Sequence, residues 1–489
     1  MGPTATLPVH RLSDPAFAAL AAGRPAAATL GELRRSQLSK HLLLLRELVA
    51  AGEVPGYAAL VAAERADPAG IRALLSRPLV GVWATRRLSA LRTGAPAPEA
   101  PPDYLASLVS GTAGRRLTAT HDGLSITVRI EDSDPLRAGL GLPPTPTLTA
   151  AELDRWQQLL TGAWRLLVAQ LRPDAEVLAT VLDCIVPVEP DPAARGISAT
   201  SADAFGAVAM SEPADATALA VGLLHETQHS LLNAVQYLFD LHDRPDALGY
   251  SPWRDDPRPA AGILHGAYAY LTVTRFWRTR RADPLAAFEF ARWRAAVLTA
   301  ADGLLAGGTL TAAGARFVTA LRAEVRSWLA DDVPATVARL ATGANADHHL
   351  RWRLRNHEVR PGDARLLADA WSQGRAAPRI GSRLRPAPRR ALEASSRLDL
   401  IHATLRGGPA PAGTADGDLA YVQGDEAAAL RAYRKRVVAD PGDDTAWTGL
   451  ALTAAGSALR DAPEVVAAVH RALGDPSVDP LALASWLSS

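Results

Sequence analysis

The chain has 489 residues but a single cysteine, Cys184, which excludes an internal disulfide and any zinc module built on several cysteines. Lysine is almost missing too. Of 52 basic residues only Lys40 and Lys435 are lysine, which leaves 50 arginines. An excess of either charge is also lacking, because 51 acidic residues bring the formal net charge to +1. A balance so close to zero offers no broad electrostatic footprint for a nucleic-acid duplex or an anionic membrane. Long apolar runs are absent as well: Leu42-Leu43-Leu44-Leu45 stops at Arg46 and Glu47, far short of the ~18 residues that span a bilayer. Residues 1–12 show no basic region leading into an apolar one, so no signal peptide is read there and a soluble, cytoplasmic protein is expected. No phosphate-cradling glycine loop and no dinucleotide fingerprint occurs.

What is present is the composition of a globular chain, 48% hydrophobic and 21% charged, long enough for two to four domains. Abundant Arg, Ala, Gly and Pro together read as GC-rich coding, so no single arginine carries weight by its type alone. Residues 1–92 are expected to be helical, with Pro55, Pro68 and Pro78 as punctuation. Alternation from Arg115 to Glu131 around Asp122-Gly123 predicts a hairpin. An amphipathic helix is predicted over Ala150–Gln170, then strands over Val177–Val188 and Ala204–Met210. A long helix follows Ser211, which is expected to cap it. Further helices are predicted over His265–Arg280, Pro284–Leu305, Ala312–Ala330 and Asp363–Ser372. The expected division is 1–92, 115–371 and 418–489, with 372–417 as an Arg-, Pro- and Gly-rich connection. The last segment has Gly424-Asp425, Ala429, Tyr433 and Pro441 at tetratricopeptide-like spacing, and Trp447 and Leu450 open a second unit.

The chemistry lies in His225-Glu226-Thr227-Gln228-His229, an HExxH pattern inside the long helix. Residues i and i+4 lie one above the other, so both imidazoles point the same way and can share one metal ion. Glu226 lies beside them, able to act as a base or hold a ligand water. The residue frequencies give about 0.03 accidental matches in a chain of this length.

A third protein ligand decides the chemistry. Six residues after His229 stands Val235, not the histidine of a metzincin, and the first glutamate after the motif is Glu289. His265 is the preferred candidate, at the expected start of the next helix and followed by Gly266; His242 and an acidic residue are the alternatives. Between them runs Gly249-Tyr-Ser-Pro-Trp253-Arg254-Asp255-Asp256-Pro257-Arg258-Pro259. Arg254 and Arg258 either pair with the aspartates of this rigid loop or present N–H donors to a substrate carboxylate.

The segment 225–229, the loop 252–259, His265-Gly266-x-Tyr268 and the downstream Trp352-Arg353-Leu354-Arg355-Asn356 together resemble the HExxH domain of bacterial peptide-modification clusters. The resemblance covers roughly 115–371. It implies a peptide β-hydroxylase of the aKG-HExxH type, dependent on iron(II) and 2-oxoglutarate and acting on ribosomally synthesised precursor peptides. It also implies His225, His229 and His265 as iron ligands, and leaves open which arginine grips the oxoacid.

The fold expected is α+β and predominantly helical. A zincin-like core with a small sheet packed on the HExxH helix would be joined by N-terminal helices and C-terminal tetratricopeptide-like helices. Two other functions stay open: a zinc metallopeptidase with Glu226 as general base, and a non-catalytic, metal-stabilised peptide-binding adaptor. Imidazole accepts iron and zinc alike, so the ligands alone do not choose. Of the remaining residues, His348-His349 read as an exposed helix start and Cys184 as a buried small hydrophobe. Arg375, Arg379, Arg383, Arg385, Arg389 and Arg390 read as a solvated basic stretch.

Overall fold

The computed structural model describes residues 9–96, 100–111, 114–192, 196–385, 395–454 and 456–489. Arg389 and Arg390 of the basic stretch lie outside them. The chain divides into two compact units: Met1–Asp243 with Ala267–Thr279 and Leu310–Glu324, and Arg244–Gly266 with Arg280–Thr309 and Val325–Ser489. Helices predominate, as expected, with one small mixed sheet. Among the described residues no helix is long and apolar enough to cross a membrane.

The first unit is built on that sheet. Its strands are β1 (Arg116–His121), β2 (Leu124–Ile130), β3 (Cys184–Pro187), β4 (Ser198–Ala199) and β5 (Ala207–Met210), in the order β1-β2-β3-β5-β4. The β1–β2 hairpin turns where predicted. Asp122 at φ 42° and Gly123 at φ 74° supply the two positive φ values that match the turn to the strands' twist. β2, β3 and β5 run parallel to one another, β1 is antiparallel to β2, and β4 closes the edge antiparallel to β5.

Both faces of the central strands are covered, so they read as continuous apolar runs. Cys184, Val186, Ala207 and Ala209 join a core with Leu79, Val80 and Trp83 of the N-terminal helices. Ile185, Val208 and Met210 face the other way, into a core with Trp156, Leu160, Trp164, Leu219 and Leu223. Cys184 is a core residue, as its neighbours implied. The helix Ala150–Gln170 has its predicted bounds and is fixed by a capping box in which Thr149 and Glu152 exchange hydrogen bonds.

The strand predicted over Val177–Val188 is shorter than expected, and its first five residues are helical. Arg172–Val181 is helical, and only Cys184–Pro187 of the span pairs as a strand. Pro173 in the first turn, Asp174 after it and buried residues at Ala175, Leu178 and Val181 carry the helical period, which outweighs β-branched composition. Asp174 and Arg275 form a buried pair at 2.7 Å; the Arg275 guanidinium also donates to the carbonyls of Ala22 and Gly23.

The second unit has the helices Pro284–Ala306 and Ala335–Asn356 in one core with the C-terminal helices, including Phe288, Leu340, Leu367, Tyr433, Trp447 and Val466. Tyr433 lies where a Cβ on Gly449 would come within 2.3 Å of its ring, so only glycine fits there. Its hydroxyl donates to Asp418, which with Asp347 flanks the buried guanidinium of Arg397. His348 and His349 are not at a helix start. They sit well inside the 22-residue helix Ala335–Asn356, with His348 only 2% exposed. That helix lacks a side-chain N-cap and buries polar residues against polar partners, so neither capping nor apolar period announces it.

Candidate metal centre

The HExxH helix spans Ala216–Leu238. Its cap is Asp215, whose side chain accepts a hydrogen bond from the Ala218 amide at 2.8 Å, and not Ser211. Ser211 instead accepts from the Ile197 amide in the loop that leads into β4. Asp215 stands directly before the first helical turn, where a short acidic side chain reaches the exposed amides. Leu219, Leu223 and Leu224 then bury one face of the helix against the sheet core.

The opposite geometry falls to the motif. Nε2 of His225 and Nε2 of His229 stand 3.1 Å apart, with the rings nearly perpendicular at 85°. Without a metal, one nitrogen can donate to the other. With one, the same spacing serves two ligands: at 2.0–2.1 Å from each nitrogen, an ion would see them at roughly 95–100°. That lies between octahedral and tetrahedral values, so the pair fits a transition metal of either preference. The ligand atoms of His225, Glu226 and His229 all lie within 4.8 Å of one another. Burial pushes the pKa of His225 down to about 4, so the imidazole is neutral at neutral pH, as coordination needs.

Two partners in this unit had no sequence signal. Ser198 on β4 donates a 2.6 Å hydrogen bond to Oε1 of the buried Glu226. Tyr270 sets its ring edge-on to His225, with centroids 5.3 Å apart. Neither residue belongs to a motif; each is brought in by tertiary packing. His242, the rival ligand, bridges through its backbone to Leu310 and is not one of the His225 group.

His265, Arg254 and Arg258 belong to the second unit. The helix Ala260–Thr279 begins directly after Pro259, so His265 sits in the second turn and does not open the helix. Gly266 does admit a close approach, but of an indole: a Cβ there would lie 2.0 Å from Nε1 of Trp253. One turn earlier, a Cβ on Gly262 would lie 3.4 Å from the Arg258 guanidinium. Arg254 and Arg258 share one carboxylate, Asp256, at 3.1 and 3.5 Å. The pairing expected of a structural loop is therefore present. Two guanidinium groups on one carboxylate still leave a positive charge in excess, and among the described residues the buried Nη2 of Arg254 has no hydrogen-bond partner.

The downstream segment Trp352–Asn356 holds this loop. Asn356 donates to the Asp255 carbonyl at 2.6 Å, and the Asp255 carboxylate faces His348, Arg351 and Arg355 at 3.6 to 3.9 Å. Tyr250 OH and His348 Nδ1 are 2.9 Å apart. Burial, then the nearby Arg351 and Arg292, drive the pKa of His348 down to about 3, so it is neutral beside Tyr250 and Asp255. Within the basic stretch, Arg383 pairs with Glu358 and Arg385 donates to the Arg355 carbonyl. Compared with protein-family models and with curated proteins, the chain has no match in either.

Proposed function

We propose that the chain is a mononuclear metal enzyme that hydroxylates a side-chain β-carbon of a ribosomally synthesised peptide, with iron(II) and 2-oxoglutarate. The observation that carries a metal centre is the convergence of two imidazole nitrogens to 3.1 Å, beside a buried carboxylate held by a serine. His265 is proposed as the third ligand. Its support is the resemblance of His265-Gly266-x-Tyr268 to the peptide-modification family. Arg254 is the preferred anchor for the far carboxylate of the oxoacid, because among the described residues its buried Nη2 has no partner and the Arg254–Arg258–Asp256 group keeps one net positive charge. The sequence resemblance supplies the choice of hydroxylation over hydrolysis.

When bound, iron(II) and 2-oxoglutarate supply the activation of dioxygen. The residues of the chain do the rest. His225 and His229 present neutral nitrogens on one helix face. Glu226, fixed by Ser198, places a negative charge beside that face and accepts hydrogen bonds from water or substrate there. Tyr270 limits how far the His225 ring can rotate. The competing reading, zinc-dependent peptide hydrolysis, is favoured by the same Glu226, whose carboxylate lies close enough to both imidazoles to deprotonate a shared water.

One experiment separates them. Metal-free protein is refilled anaerobically with iron(II) and 2-oxoglutarate, and a weak visible charge-transfer band is sought. On admission of air, succinate release and peptide mass are followed. A band, succinate, and a peptide heavier by one oxygen support hydroxylation. Tight zinc retention with a cleaved peptide and no succinate would overturn it.

A further inference from the structure

A second candidate site lies wholly within the second unit. A cavity of about 480 Å³ is formed between the helix Ala335–Asn356 and the C-terminal helices. That volume is within the range of sites that bind small ligands or a few peptide residues. Its floor is aliphatic, with Leu350, Ala451 and Leu452, and its polar groups are Arg339, Arg460, His349 and Tyr421. Among the described residues no acidic one lines it.

Those polar groups have capacity to spare. Arg339 donates to the carbonyls of Tyr421 and Val422, at the C-terminal end of the helix Asp416–Gln423, and among the described residues it has no carboxylate partner. Arg460 is exposed and, among the described residues, makes no ion pair. The Tyr421 hydroxyl and the His349 ring nitrogens likewise have no hydrogen-bond partner among the described residues, although His349 is stacked on Trp352. Gly343 makes room for the phenol: a Cβ there would lie 2.2 Å from the Tyr421 hydroxyl. The neighbouring Arg353 and Arg397 are matched with carboxylates, Arg353 with Glu464 and Arg397 with Asp347 and Asp418. Arg339 and Arg460, by contrast, line an aliphatic cavity with no carboxylate partner among the described residues.

We propose that this cavity binds an acidic peptide segment, with a carboxylate side chain against Arg339, Arg460 and the Tyr421 hydroxyl, and a neighbouring aliphatic side chain on Leu350 and Leu452. Guanidinium groups suit a carboxylate by their planar donor geometry. An aliphatic side chain replaces water on a floor that has nothing to offer water. A small dicarboxylate would satisfy the arginines but leave that floor uncovered, which is why a peptide is the favoured source of the carboxylate. The site does not depend on the metal reading, since it needs neither the HExxH helix nor a metal.

The test uses the full-length, metal-free protein and fluorescence anisotropy of a labelled heptapeptide with an Asp-Leu-Glu-Leu core, beside the same peptide with Asn-Leu-Gln-Leu. Saturable binding of the acidic peptide is expected, weakening with salt, and weaker for the amide version. Arg460→Gln should weaken it by about fivefold, the loss expected of a partly exposed charged contact. Arg460 is a surface residue, so its thermal unfolding should match that of the parent. Tyr421→Phe keeps the ring and removes only the hydroxyl, and should also weaken binding. No binding, equal binding of the acidic and amide peptides, or full affinity in both variants would overturn the proposal. Displacement of the peptide by succinate at comparable concentration would mean a site for small acids, and would overturn it as well.

Discussion

Ser198 and Glu226 tie the sheet to the HExxH helix. A serine on the edge strand β4 donates at 2.6 Å to a carboxylate that is only 2% exposed and lies one residue after His225. Ser198→Ala removes that donor from a buried charge, at an expected cost of about 1–3 kcal/mol. Thermal unfolding of the metal-free variant measures it. Metal content after reconstitution should stay near parent level, since both imidazoles remain; a variant that unfolds at the parent temperature would show the bond to be inconsequential.

Glu226→Gln separates the two chemistries. A peptidase that uses this carboxylate as general base should lose about 10²–10⁴-fold in turnover. A hydroxylase needs no base to activate a nucleophilic water, so the variant should keep iron and part of its succinate production, with looser coupling to peptide hydroxylation. Succinate and peptide mass are measured side by side, and loss of all turnover with metal retained would favour hydrolysis.

The ligand set is checked by metal analysis. His225→Ala and His265→Ala should lose metal to a similar extent, and His242→Ala should keep it. Full occupancy in His265→Ala would remove that residue from the site.

Gly266→Ala puts a methyl group where the Trp253 indole lies, 2.0 Å from Nε1. Since overpacking costs typically about 1–3 kcal/mol, a lower unfolding temperature is expected, together with a shifted tryptophan emission. An unchanged spectrum would mean that the indole is not held there.

His348 gives the protein a pH dependence of defined sign. Its folded pKa, about 3, lies below the ordinary histidine value of 6.5, so the unfolded chain takes up the proton first. The contribution to stability is complete above pH 6.5, declines as pH falls from there towards 3, and changes no further below. The loss is on the order of a few kcal/mol at most. His348→Gln should flatten unfolding temperature against pH across that window; an unaltered slope would assign it to other groups.

Local signals carried far in this sequence. The Asp122-Gly123 turn, the Thr149 cap with Glu152 and the i, i+4 histidines were all legible, because each depends on residues a few positions apart. The helical end at 177–181 is hidden because Val177–Val188 is largely apolar, and a short apolar run does not declare its period. The helix Ala335–Asn356 was obscured by polar residues that are buried against distant partners, Asp347 with Arg397 above all. Ser198 and Tyr270 could not be found from sequence for the same reason. Their contacts to Glu226 and His225 span 28 and 45 positions, and nothing near them in the chain marks either.

The first unit is stitched from three stretches of chain, and that sets the order in which it can form. Tyr268 donates to the Leu20 carbonyl, Arg275 clasps Asp174, and Arg24 meets Glu324 at 2.6 Å. During synthesis the N-terminal helices emerge first, yet their closing contacts arrive only after residue 324 has left the ribosome. At about 5–20 residues per second, the early half waits for roughly 4–16 seconds between residue 243 and that point. Any fragment that stops at Asp243 lacks its own clasp. The nascent chain must keep its sheet edge and apolar helix faces from self-association for that interval, which makes expression yield in cells, more than equilibrium stability, the quantity most sensitive to Tyr268→Phe or Arg275→Gln.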